Sequence, residues 1–262
     1  MSSLVTASAD IIRSAEFETP PLDAGTGSDR ENPRYHPDEE SPPLIEVAAF
    51  DIDGTLTRRD VEESLILKLI KEDRLFGTAI KLLFLSALRT ARRPPDFESF
   101  KEGVWSSFAE VSDERLAEAI NAFKALSLSA LIKPAAVAEI EFCRAAGWKV
   151  VLVTGAINPL AEAIATLVCA DHVIGTSFRI DAGQEGLRLR RADVNTGPSK
   201  VRRLTEWADS TFGRGAWRFR RAYSDHHSDL PLLSSVSEPV AVCPTRRLRA
   251  VARRRSWQIV EW

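Results

Sequence analysis

The chain has 262 residues, 44% of them hydrophobic and 27% charged, with 13 glycines and 14 prolines. That is one large domain or two small ones with enough chain for a real core, and it excludes a collagen-like or wholly low-complexity polymer. A formal charge of −2 excludes the strongly basic balance of a dedicated nucleic-acid binder. Cys143, Cys169 and Cys243, odd in number, set in apolar surroundings and without metal-ligand spacing, point to a reducing cytoplasm rather than a disulfide framework.

The near-neutral total conceals an asymmetry. Residues 1–46 carry ten acids and three arginines, a net of −7, whereas the remainder carries 27 acids and 32 basic residues, a net of +5. Thr19-Pro20-Pro21, Gly25-Thr26-Gly27-Ser28, Asn32-Pro33 and Ser41-Pro42-Pro43 punctuate the acidic stretch. Such a segment has too little apolar surface to offset its backbone entropy, so residues 1–43 are predicted to be a disordered acidic arm. It lacks a basic region followed by an apolar one and does not read as a secretory signal. No stretch reaches the roughly 18 apolar residues of a membrane span. The closest, Ile80 to Leu88, is broken by Lys81 and reads as a buried helix segment.

Order is predicted to begin with a strand at Leu44–Phe50, a short apolar run bounded by Pro43 and Gly54. From Val61 to about Cys143 the spacing is helical. Ile66, Leu69 and Ile70 share a face, as do Leu116, Ala119, Ile120 and Phe123 after Ser112, and breaks fall at Pro94-Pro95 and Lys133-Pro134. Strand rhythm returns at Gly147–Gly155, followed by a helix over 158–168, a strand at 171–175 and a hairpin over 178–189 turning at Ala182-Gly183. A helix over 199–212, a strand at 217–224, a short helix over 230–236, a strand at 239–242 and a helix over 245–256 complete the chain. Trp257 and Trp262 are expected to pack on the last strand. Strands alternating with helices predict an α/β fold, a doubly wound, mostly parallel, Rossmann-like sheet, with a helical insertion after the first strand.

In such a sheet the ligand site lies at the carboxyl ends of the strands. Asp51 and Asp53 leave the first strand with Gly54 and Thr55 after them, Thr154 ends the second, Lys200 starts a helix on the same face, and Asp225 ends a later strand with Asp229 four residues on. Carboxylates converging without compensation would repel one another and resist ionising. Mg²⁺ relieves this, because it takes hard oxygen ligands and is commonly held by one or two carboxylates, waters and a substrate phosphate. A lysine and a hydroxyl beside it suit the non-bridging oxygens of a phosphoryl group, and a carboxylate can attack phosphorus.

Phe50-Asp51-Ile52-Asp53-Gly54-Thr55-Leu56-Thr57 resembles motif I of the haloacid dehalogenase (HAD) superfamily phosphatases. Val151-Leu152-Val153-Thr154-Gly155 resembles motif II, Lys200 motif III, and Ser224-Asp225-His226-His227-Ser228-Asp229-Leu230-Pro231-Leu232-Leu233 motif IV. All four occur in family order, and the resemblance covers residues 46–262. The insertion is similar to the C1 cap of the phosphoserine-phosphatase-like branch, subfamily IB. This implies an acidic arm over 1–43, a HAD-like core over 44–60 and 146–262, and a helical cap over 61–145.

The resemblance also implies roles. Asp51 would attack phosphorus; Asp53 would protonate the leaving alcohol and then activate water, its backbone carbonyl also ligating Mg²⁺. Thr154, Gly155 and Lys200 would hold the phosphoryl oxygens. Asp51, Asp53, Asp225 and Asp229 would form the Mg²⁺ site, Asp229 either ligating the ion or orienting Lys200. Gly54 and Thr55 would shape the loop beneath the phosphate. Asp53 disfavours dehalogenation. Asp60 stands where phosphoserine phosphatases carry a glutamate that contacts the substrate amine, one methylene shorter here. Thr154-Gly155-Ala156 and His226-His227-Ser228 also depart from that branch, so phosphoserine is not favoured as substrate. His226 and His227 read as structural or substrate-rim residues rather than ligands.

Arg89, Arg92 and Arg93, and the run Arg246, Arg247, Arg249, Arg253, Arg254 and Arg255, read first as solvated faces; contact with a larger anionic ester or an anionic surface is the second reading. The expected function is that of a cytoplasmic, Mg²⁺-dependent phosphomonoester hydrolase acting through an aspartyl-phosphate on a small phosphorylated metabolite. The expected partner is a small phosphorylated substrate, with no nucleic acid and no transmembrane segment in the chain. A phosphotransferase using the same intermediate and a catalytically quiet binding module are the alternatives.

Overall fold

Strand β1 (Ile45–Phe50) can lie at the centre of a sheet because neither of its faces is polar: Val47, Ala48, Ala49 and Phe50 are all buried. Its neighbours in space were established from a computed structural model that describes residues 43–65, 113–182 and 188–262, all within one unit, Pro42–Trp262. Residues 1–42 of the arm expected over 1–43, the helical positions Ile66, Leu69 and Ile70, the run Ile80–Leu88, Arg89, Arg92, Arg93, Pro94-Pro95, Ser112 and the turn at Gly183 lie outside the described residues.

Among the described residues seven strands form one sheet in the order β4-β3-β2-β1-β5-β6-β7. They are β2 (Lys149–Ile157), β3 (His172–Ala182), β4 (Arg188–Asp193), β5 (Trp217–Ser224), β6 (Glu238–Val242) and β7 (Gln258–Val260) beside β1. Every pairing is parallel except β3 with β4. The expected doubly wound α/β sheet is therefore present. After β1 the chain winds outward on one side through β2 and β3. It then crosses back to wind through β5, β6 and β7 on the other.

Alternation along each strand divides the core in two. Ala48, Phe50, Val150 and Leu152 point to a face covered by α2 (Pro134–Ala145) and α3 (Asn158–Val168). Val47, Ala49, Val151 and Val153 point to the other, where Leu204 of α4 (Pro198–Phe212), Leu232 and Leu233 of α5 (Leu230–Ser234) and Leu248 and Ala252 of α6 (Arg246–Arg254) are buried. Each large side chain so buried contributes about 1.5–3 kcal/mol. Phe50 and Tyr223 stack with ring centroids 4.1 Å apart, fastening β1 to β5.

Between β1 and β2 the described chain is helical: a turn over 61–65 and α1 (Asp113–Phe123), which runs on through Lys124–Leu128 to Ser129–Leu131 without leaving helical backbone. The outgoing and returning chains meet in a short antiparallel contact, Thr57 with Ile132, reinforced by Arg58 N–H donating to Leu131 O at 2.9 Å and Lys133 N–H donating to Leu56 O at 2.9 Å.

Five sequence expectations are corrected here. The helix Pro134–Ala145, expected in the cap, packs on the sheet through Ala136, Ile140 and Cys143, because Lys133-Pro134 marks the chain's return to the core rather than a break inside the insertion. β2 does not end at Thr154; it continues to Ile157 past a break in its pairing. The strand at 171–175 and the first arm of the hairpin are one strand, β3. The C-terminal helix stops at Arg254, since Ser256 takes a positive φ of 54° and turns the chain into β7, a strand too short to show a period. Cys169, expected in apolar surroundings, is exposed in a left-handed conformation that ends α3.

Candidate active site

β1 is the strand from which the chain winds both ways, so the crevice at its carboxyl end, flanked by β2 and β5, is where a doubly wound sheet gathers ligand-binding residues. Asp51 leaves β1 there with its N–H still donating to Tyr223 O at 3.0 Å. The chain cannot continue as strand, because Gly54 adopts a φ of 73°, a left-handed conformation suited to a residue without Cβ. Space requires the glycine as well: a Cβ at position 54 would lie 2.3 Å from Asp225 Oδ2. Ile52 and Leu56, both fully buried, pin the loop from below.

Thr55 clamps this loop to the end of β5. Its hydroxyl donates to Asp51 Oδ2 at 3.1 Å and accepts from the Asp225 N–H at 3.0 Å. Lys200 enters from the first turn of α4. Its Nζ is 2.7 Å from Asp51 Oδ1 and 2.7 Å from Asp229 Oδ2, with all three residues buried. Residues 149 and 29 positions apart in sequence thus form one hydrogen-bonded triad, two acids sharing one lysine. Ser224 Oγ donates to the same Asp229 oxygen at 2.8 Å. Asp229 occupies the position before α5 yet makes no capping bond to it; its carboxylate serves Lys200 instead.

The electrostatics follow from this crowding. Burial raises the Asp51 carboxyl above its ordinary value and Asp229 pushes the same way, while Lys200 opposes both. Burial alone would lower Lys200, but the charges of Asp229 and Asp51 outweigh it and hold the ammonium above its ordinary value. Asp225 is pushed up to about 7, first by burial and then by Asp51 and Asp229. The site carries more negative charge than its lysine neutralises.

A divalent cation answers that excess, and the residues present fit one. Among the described residues no three His, Cys, Asp or Glu side chains form a metal cage. Mg²⁺ does not need one, since it retains several waters and is held by one or two carboxylates. Asp51 and Asp225 supply two mutually destabilised carboxylates, and Asp229 Oδ1 is buried with no hydrogen-bond partner.

The other sequence candidates have different surroundings. The Asp53 carboxylate accepts the Val61 N–H at 2.8 Å and so faces the first helical turn of the insertion. Asp60 caps that turn, its Oδ1 accepting from Glu62 N–H at 3.0 Å and Glu63 N–H at 2.9 Å. Thr154 is fully buried on β2, with its Oγ1 accepting the Ala156 N–H at 3.1 Å, and Gly155 O accepts from the Thr176 hydroxyl at 2.6 Å. His226 Nδ1 is 2.9 Å from Ser228 Oγ, and burial followed by the charge of His227 lowers its pKa. His227 Nδ1 is buried without a partner, its ring 4.1 Å from that of His226.

Several residues close to this site were not legible as such. Lys133 Nζ donates to Gly54 O, in the loop that follows β1, at 2.5 Å. Glu62, almost fully buried, accepts the Ile157 N–H at 2.8 Å, and Asn195 is fully buried beside Thr154. Only the position of Lys133, immediately before a proline where the chain re-enters the core, could have signalled it.

A model of haloacid dehalogenase-like hydrolases matches residues 48–234, which spans all of these groups. The chain belongs to the haloacid dehalogenase-like hydrolase family. A histidinol-phosphatase of Neisseria meningitidis serogroup C (strain 8013) is 27% identical over 225 residues, covering 82% of this chain and 98% of the relative. Among solved structures, a protein of unknown function from Bordetella pertussis Tohama I superposes with a TM-score of 0.68 at 24% identity, covering 83% of this chain and 98% of its own. A substrate-bound phosphoserine phosphatase superposes with a TM-score of 0.53 at 14% identity, covering 83% and 92%. These two likenesses concern the fold.

Proposed function

We propose that this family member is a Mg²⁺-dependent phosphomonoester hydrolase working through an aspartyl-phosphate on Asp51. The observation that carries the reading is the buried triad. Lys200 holds Asp51 Oδ1 at 2.7 Å, which aims the carboxylate and opposes the burial that raises its pKa. In this reading Asp51 attacks phosphorus and the P–O bond to the alcohol breaks. Asp53 gives that alkoxide its proton and later takes one from the water that releases phosphate. Lys200, the Thr154 hydroxyl and the Gly155 backbone grip the phosphoryl oxygens. Asp229 keeps Lys200 in place. Asp51, Asp225 and the Asp53 carbonyl would hold Mg²⁺, which, when bound, neutralises charge on the transferring group. Asp60 acts indirectly, by starting the helical turn whose first N–H holds Asp53.

The substrate class is a small phosphorylated metabolite. Histidinol phosphate is the first to test, on the strength of the full-length match to a histidinol-phosphatase; phosphoserine, sugar phosphates and glycerol phosphates follow. With the purified chain and Mg²⁺, phosphate release from at least one of these is expected. Asp51→Asn should lose about 10³-fold or more of that rate while melting as a folded protein. A folded wild-type chain that releases phosphate from none of them, or an Asp51→Asn variant that still turns over, would refute the reading.

A further inference from the structure

Strands β2 and β3 keep parallel register as far as Val153 opposite Ile174, lose it, and resume at Ile157 opposite Thr176. β2 therefore takes four steps where β3 takes two. The residues left out of the ladder, Thr154–Ala156, include Thr154 and Gly155, read above as part of the phosphoryl grip. Backbone groups expelled from a ladder must find other partners or remain orphaned. Here they find two fully buried side chains. Asn195 Nδ2 donates to Thr154 O at 3.2 Å and to Ile174 O at 2.8 Å, bridging the two strands where they part. The Thr176 hydroxyl donates to Gly155 O at 2.6 Å and accepts the Asn195 N–H at 3.2 Å.

The consequence lies on the far side of each peptide. In a trans peptide the C=O and the following N–H point in opposite directions. Fixing Thr154 O on Asn195 therefore aims the Gly155 N–H away from Asn195. Fixing Gly155 O on Thr176 likewise aims the Ala156 N–H, and that N–H donates to Thr154 Oγ1 at 3.1 Å. A hydroxyl that accepts there has its own proton left to donate elsewhere. We propose that Asn195 and Thr176 are positioning residues that hold the Gly155 N–H and the Thr154 hydroxyl as a preset pair of donors for phosphoryl oxygens. The proposal rests on the phosphatase reading.

Thr176→Val keeps the β-branched shape and removes only the hydroxyl, whereas Thr176→Ser keeps the hydroxyl. Inhibition by inorganic phosphate and by orthovanadate, kcat and KM should be measured for both beside wild type, with thermal unfolding as a separate reading. T176V is expected to weaken inhibition by both anions and to lower kcat/KM, each about tenfold, the effect of losing one aimed hydrogen bond. T176S should stay close to wild type. A folded T176V with wild-type inhibition constants and kcat/KM, whatever its melting temperature, would overturn the proposal, as would T176S falling as far as T176V. Asn195→Ala strips Thr154 O of its donor and should give the same anion-specific loss, so a T176V chain that fails to fold leaves the question decidable. A wild-type chain without turnover would overturn the phosphatase reading and this one together; wild-type turnover with an unchanged T176V falls on the positioning alone.

Discussion

Replacing Lys200 with methionine removes a buried ammonium and little else. The methionine keeps the length and most of the volume of the lysine stem, so the change isolates the charge. Two carboxylate oxygens, Asp51 Oδ1 and Asp229 Oδ2, each lose a partner at 2.7 Å, and both residues remain buried. Removing one member of a buried ion pair typically costs about 3–5 kcal/mol, because the desolvated charge left behind has no compensation. In a chain of this size each kcal/mol lowers the melting temperature by about 2–4 °C, so the expected fall is about 6–20 °C. The assay is thermal unfolding by circular dichroism in buffer with a chelator, so that no divalent cation substitutes for the lysine. The double variant Lys200→Met with Asp229→Asn supplies the control. Neutralising Asp229 removes one of the two stranded charges, and part of the lost stability should return, a coupling that independent sites do not show. Phosphate release should remain abolished in both. If K200M melts within about 1 °C of wild type, or if the second substitution adds its own full loss, the triad is not the coupled unit inferred from its geometry.

Two further substitution and reactivity tests follow from single residues. Gly54→Ala places a Cβ 2.3 Å from Asp225 Oδ2 at a φ of 73°, so it should cost about 1–2 kcal/mol in stability and displace Asp225, abolishing turnover; wild-type activity in a folded G54A would refute the packing argument. Burial pushes the Cys143 thiol up to about 11, leaving about one thiolate in a thousand at pH 8, so native protein should be alkylated at exposed Cys169 long before Cys143, as read by mass spectrometry. Tyr223 is also raised, first by burial and then by its bond to Glu139. Both acids therefore stay protonated in the fold while the unfolded chain releases their protons, and stability should fall as pH rises from about 9 to 11. A melting temperature flat across that window would count against the assignment.

Much of the sheet was legible in the sequence because its strands are short apolar runs between glycine and proline boundaries, and burial on both faces demands that pattern of β1, β2 and β6. β7 was not legible, since three residues carry no period; only its docking beside β6 makes it a strand. Pro134–Ala145 was assigned to the insertion because its periodicity is the same whether it covers a sheet or a cap. At the site, the juxtaposition of Asp51, Lys200, Asp225 and Asp229 was legible because they stand at strand and helix ends in the order of the family's motifs. Asn195, Thr176 and, but for its place before Pro134, Lys133 were not. Their effect depends on which carbonyl or carboxylate stands opposite them, and that is set by a register break and by chain crossings separated by up to 79 positions.

The charge arrangement explains why the legible residues have to be where they are. A chain selected for stability alone would not hold Asp51 and Asp225 above their ordinary carboxyl range in a buried crevice, since amides of the same shape would avoid the cost. Lys200 offsets part of that cost, bridging Asp51 and Asp229, but its one positive charge is already divided between two carboxylates. Asp225 is left beside Asp51 with no ammonium of its own among the contacts described, and it is pushed up to about 7 as a result. A small divalent cation set between these two oxygens would reverse the sign of their interaction and lower both carboxyls together. On the phosphatase reading proposed above, Lys200 and the donors of Thr154 and Gly155 would then bind the phosphoryl oxygens. On the same reading, the negative excess that weakens the folded chain would be what draws a hard cation into the crevice together with a phosphate.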